Sequence, residues 1–174
     1  MNKRARLRIA VLLLLVVPAA LFAASYDPLL PLLVDLAGWQ AEKAEGLDLS
    51  QAGMQSVSVF REYTSGGKGL STAILLGTQV GATWMSEYRE GFKVESTGSA
   101  MEVRRIDGFL VYQGFDTEDS SGGIIVLLIE TTAEKPETGA VFAFTFDGIP
   151  LDEALKLAQK FDWKKMKEVA ARVK

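Results

Sequence analysis

Apolar and polar positions divide this chain into an unbroken apolar stretch, a long region of period two and a closing region of period 3.6. The first, residues 9–17, lies within residues 1–25. Lys3, Arg4, Arg6 and Arg8 precede a solid apolar run at residues 9–17, and Pro18 is followed by small residues. A basic start, a short apolar stretch and a small-residue exit make the layout of a secretory signal peptide. Ala23 and Ser25 suit cleavage near Ser25. The competing expectation is a retained anchor, but residues 9–24 are fewer than the ~20 a spanning helix needs, and Pro18 lies among them.

Residues 26–174 are then expected to form a single domain. Asp27 and Pro28 read as a helix start. Leu29, Leu30, Leu32, Leu33 and Leu36 follow and Gly38 stops the pattern, which predicts a short apolar N-terminal helix lying on a sheet. From Met54 the period becomes two. Residues 54–76 predict a hairpin turning at 65–69. Val80, Trp84 and Tyr88 stand four apart, which predicts a short helix over 79–89. Further strands are expected at 93–95, 101–106, 109–115, 124–129 and 141–146, with Asp107-Gly108 as a hairpin turn. Residues 124–129 are apolar on both faces, so that strand should be covered on both.

At the C-terminus, Leu151, Ala154, Leu155, Leu157, Ala158 and Phe161 share one arc of a helix. That register would put Trp163 among polar residues. Restarting it after Asp162 gathers Trp163, Met166, Val169, Ala170 and Val173 on one face, so Asp162 is expected to cap a second helix. The expected fold class is α+β: a largely antiparallel sheet of about six strands packed by an N-terminal helix and C-terminal helices.

Composition narrows the chemistry. The chain has no Cys and no His. Disulfides, thiol nucleophiles, the usual zinc sites and imidazole acid–base catalysis are therefore outside its repertoire. The four leader cations leave 15 basic against 22 acidic residues, a net charge of −7. An acidic domain is ill-suited to nucleic acid, which wants clustered Lys and Arg. Neither a cofactor nor a metal is expected. Asp116, Glu118 and Asp119 lack the spacing of a calcium loop and read as a solvated turn. Residues 65–69 lack the phosphate-loop pattern. A carboxylate-based hydrolase would need two of Glu62, Glu95, Glu102 and Glu130 brought together.

Two candidate sites remain. Trp39, Tyr63, Trp84, Tyr88 and Tyr112 could line a ligand groove, with Arg61, Arg89, Arg104 or Arg105 reading an anionic group. The last helix, with Trp163, Lys164, Lys165 and Lys167, could lie on an anionic membrane as a peripheral contact.

Gly38-Trp39, the run Arg61-Glu62-Tyr63-Thr64 before a glycine turn, and the closing Phe161-Asp162-Trp163 resemble small exported bacterial domains. The resemblance implies a shape similar to the PsbP/Mog1-type α/β sandwich and an accessory or binding role with no catalytic residues. The expected function is thus an exported, non-catalytic binding domain whose partner is a protein or small ligand of the cell envelope. A membrane-surface protein and a carboxylate hydrolase are the alternatives.

Overall fold

The computed structural model describes residues 26–49, 55–84, 88–131 and 139–173. Residues 1–25, where a signal peptide is expected, lie outside them. The described chain forms one antiparallel sheet of nine strands and two C-terminal helices. The strands are β1 (Gln40–Ala41), β2 (Glu45–Asp48), β3 (Ser56–Ser65), β4 (Lys68–Gly77), β5 (Lys93–Ser96), β6 (Ser99–Ile106), β7 (Phe109–Asp116), β8 (Ser121–Ile129) and β9 (Ala140–Asp147). Their order is β1-β3-β4-β9-β8-β7-β6-β5, and β2 shares with β1 the outer edge of β3.

The tight turns carry the residues their geometry requires. Gly66-Gly67 joins β3 to β4 and Asp107-Gly108 joins β6 to β7, all four with positive φ. This is the backbone of the primed two-residue hairpins, which suits Gly and tolerates Asp.

Register assigns each residue to a face. Val59, Ile74, Phe142, Val126 and Val111 form one row across β3, β4, β9, β8 and β7. This front face meets α2 (Leu151–Ala158) and α3 (Trp163–Ala170), which pack on β8 and β9. Phe142, Phe144, Ala154, Ala158, Phe161 and Met166 are all essentially sealed from water. On the back face Leu75, Val141, Leu127 and Leu110 form the matching row. It is capped by Val80 and Trp84, which belong to or follow the one-turn helix α1 (Val80–Thr83). The strand at 124–129 is therefore covered on both faces, as its composition predicts.

Two expectations need correction. The sheet has nine strands instead of about six. The additional ones include β1 and β2, short edge strands with no apolar alternation of their own, held by pairing to β3. The N-terminal helix is not formed. Residues 26–36 make only a 3₁₀ turn, Leu30–Leu32, with three-residue bonds from Leu29 N to Tyr26 O, Leu32 N to Leu29 O and Leu33 N to Leu30 O. Pro28 and Pro31 remove two amide donors within four residues, so the longer α-helical ladder has nothing to build on. Leu29, Leu33 and Leu36 still face the core at helical intervals. The apolar spacing survives in a strap. Of the helix expected over 79–89, the structure has one turn, and residues 85–87 lie outside the described chain.

The C-terminal reading holds. The Asp162 carboxylate accepts from Lys165 N at 2.9 Å and caps α3. The register restarts there, and Trp163, Met166 and Ala170 all turn inward.

Candidate functional site

The sheet divides the aromatic–arginine set between its faces. Arg61 and Tyr63 alternate with the outward positions of β3 and share the front face with Val57 and Val59. There they clasp the N-terminal strap. Arg61 donates from Nη1 to Leu33 O at 2.6 Å, from Nε to Glu42 O at 2.7 Å and from Nη2 to the Asp35 carboxylate at 2.6 Å. Tyr63 donates its hydroxyl to Val34 O at 2.8 Å. Trp39 is half-buried against the same core. These three residues lie where chain packs on chain, and the arginine's planar fork is committed to protein oxygens.

Burial pushes the Tyr63 phenol above its ordinary value of 10.0. The neutral phenol is favoured in the fold, so its contribution is intact below pH 10 and is lost as pH rises through the raised folded value. Tyr63→Phe should flatten this alkaline loss and cost about 1 kcal/mol at neutral pH. Urea melts across the alkaline range test it. An unchanged slope in the variant would show that another group controls alkaline unfolding.

On the back face Tyr88 stacks on Tyr112 with centroids 4.3 Å apart, and Trp84 meets Tyr88 edge-on at 5.5 Å. Tyr88 is buried, while Arg89 beside it is exposed. Arg105 sends Nε and Nη2 to Glu90 at 3.2 and 3.1 Å. This cluster is separated from Trp39, Arg61 and Tyr63 by the thickness of the sheet. Arg104 is on the front of β6, where its Nη2 approaches Gln113 Oε1 at 3.5 Å.

The acidic candidates are distributed in the same way. Glu62 is on the back face, whereas Glu95 and Glu102 stand on the front of neighbouring strands. Glu130 is exposed just past the end of β8. Glu95 and Glu102 flank Lys93, which Glu95 contacts at 2.7 Å. Glu95 chiefly, and Glu102 further off, raise the Lys93 ammonium above the ordinary lysine value. The Lys93 cation thus stands between two carboxylates. In the turn at 116–120, Asp116 Oδ1 accepts from Glu118 N and Asp119 N, which orders the backbone. Among the described residues no three metal-ligating side chains converge.

A cleft that the sequence did not signal lies where the β6–β7 turn meets the joint between α2 and α3. Its volume is about 470 Å³, and Asp107, Phe109, Gln159, Phe161, Asp162, Trp163 and Lys164 line it. Each wall follows from a local rule. Asp107 stands at the hairpin tip with φ 51°. Phe109 begins β7 and meets Trp163 edge-on at 6.0 Å. Trp163 is only 4% exposed and donates Nε1–H to Ala158 O at 3.1 Å, locking the joint between the helices. Asp162 is held by its capping bond, and Gln159 Nε2 approaches Asp107 Oδ2 at 3.5 Å. The floor is aromatic and the rim carries two carboxylates, one amide and one ammonium. That composition suits a small or projecting group with an apolar body and a polar end. The candidate membrane residues divide here. Lys164, Lys165 and Lys167 are exposed, and Trp163 is in the core. No described helix is long and apolar enough to cross a membrane.

No family model, no curated protein and no solved structure matches this chain.

Proposed function

We propose that the chain is an exported, non-catalytic accessory domain of the bacterial envelope that binds a small ligand or a projecting peptide group in the cleft at the α2–α3 joint. The cleft carries the reading. Its volume of about 470 Å³ is within the ordinary range for ligand sites, and its polar rim surrounds an aromatic floor. Export rests on the basic, apolar and small-residue layout of residues 1–25. The two C-terminal helices on the front of an antiparallel sheet are compatible with an α+β sandwich.

Gln159→Trp tests the site. Gln159 is exposed at the cleft rim, so an indole there fills the space without entering the core. Protein purified from the envelope fraction is expected to carry a bound species in native mass spectrometry. The variant should lose it at an unchanged melting temperature. Equal retention by both proteins, or no bound species in either, would refute the reading.

A membrane-surface role takes second place. With Trp163 turned inward, it would rest on the electrostatics of exposed Lys164, Lys165 and Lys167 alone, without insertion.

A further inference from the structure

The two edges of the sheet are built differently. At one edge, β2 carries Glu45 and Asp48 and no base. Two copies meeting there would oppose acid to acid, a common way to keep sheet edges apart. At the other edge, β5 reads Lys93-Val94-Glu95-Ser96, with all four residues exposed. Its charges are of both signs and symmetric about Val94.

The backbone has the same symmetry. Val103 N donates to Phe92 O, and Val94 lies opposite Met101 in the β5–β6 ladder. Antiparallel ladders alternate hydrogen-bonded and non-bonded positions, so the Phe92 carbonyl and both the amide and the carbonyl of Val94 face β6. Lys93 and Glu95 turn theirs outward. The outward amides and carbonyls therefore belong to the two charged residues, one on each side of Val94.

We propose that β5 pairs antiparallel with β5 of a second copy about a two-fold axis at Val94, joining two nine-stranded sheets into one. In that register Lys93 faces the second copy's Glu95, and Glu95 faces its Lys93. Both are the hydrogen-bonded positions, so the charged residues supply the outward backbone bonds and a reciprocal pair of cross-strand ion pairs. Val94 meets its own copy at the close, non-bonded position. Val94 and Met101 share the back face, where they are 42% and 37% exposed. Pairing places them beside the same two residues of the copy in one apolar row of four. Slipping the register by one residue would oppose Val94 to a charge, which specifies the alignment. Pairing about a two-fold axis uses up both β5 edges, so association closes at two copies and does not run on into a fibre.

Charge reversal separates this pairing from general stickiness. Protein purified from cells expressing the full 174-residue chain should show a weight-average mass in sedimentation that rises from one protomer toward two with concentration. Lys93→Glu alone puts four acids at the axis, and Glu95→Lys alone puts four bases there. Each variant should remain a monomer with an unchanged circular-dichroism spectrum. Mixed in equal amounts they should form a heterodimer, because the acid introduced at position 93 of one then faces the base introduced at position 95 of the other. A wild-type protein that stays at one protomer at every concentration would overturn the proposal. So would either variant dimerising alone, or a mixture that fails to associate.

Discussion

Phe161→Ala should destabilise the protein by about 3–5 kcal/mol, the range for removing a phenyl ring from a sealed core. Phe161 is 2% exposed although it lies between two helices. Its ring meets Tyr63 edge-on at 6.3 Å, Phe142 at 5.1 Å and Phe144 at 6.2 Å. It thus joins the helix layer to β3 and β9 at once. The strands around it are held in ladders and cannot close over the gap, so the cavity term stays near its full value. Whole domains are stable by only about 5–15 kcal/mol, so the variant should be near its unfolding threshold at moderate temperature. Urea denaturation would show a large fall in midpoint with an unchanged slope. A loss below about 1 kcal/mol would mean that the joint between α2 and α3 repacks freely.

Arg61→Ala should cost about 2–4 kcal/mol, and Asp35→Ala less than about 1 kcal/mol. Both residues belong to one ion pair, yet their surroundings differ. The Arg61 side chain is 16% exposed and that of Asp35 84%. Losing Asp35 removes a solvated partner. Losing Arg61 removes the donors to Leu33 O in the strap and to Glu42 O just past β1. A carbonyl left dry costs more than an exposed ion pair contributes. Arg61→Lys should recover little, because one ammonium cannot span oxygens on two separate segments. Equal losses at Arg61 and Asp35, measured by thermal melts, would show that the ion pair matters and the carbonyl contacts do not.

How much of the fold is legible in the chain follows from the range of each signal. The hairpins at Gly66-Gly67 and Asp107-Gly108 are legible because turn residue and flanking alternation are adjacent in sequence. The joint at Asp162 is legible because a helical register that fails at Trp163 and resumes at once leaves few explanations. The strap is half legible. Its leucine spacing identifies the buried side chains, but Pro28 and Pro31 outweigh that spacing in deciding the backbone.

The ligand groove expected from Trp39, Arg61, Tyr63, Trp84, Tyr88, Arg89 and Tyr112 depends on something no local pattern carries. Whether residue 61 shares a face with residue 112 is decided by four intervening strand registers, and here the answer is no. The role of Arg61 is hidden for a similar reason. The carbonyl its Nη1 binds lies 28 residues earlier, in a segment without regular structure. The cleft is not signalled because its walls come from a turn and a helix joint about fifty residues apart.

The order of strands bears on how the molecule is made. β9 is the last strand in sequence, yet it stands mid-sheet between β4 and β8. Before it arrives, the chain can form the β3–β4 hairpin and the meander from β5 to β8, two separate pieces each with an open flank. Only β9 joins them, and only the helices after it seal Phe142 and Phe144. A chain delivered from its N-terminus, through a ribosome or a translocation channel, would therefore stay incomplete until nearly all of it had emerged. In a chain exported as proposed above, this topology would postpone cooperative folding to the end of delivery.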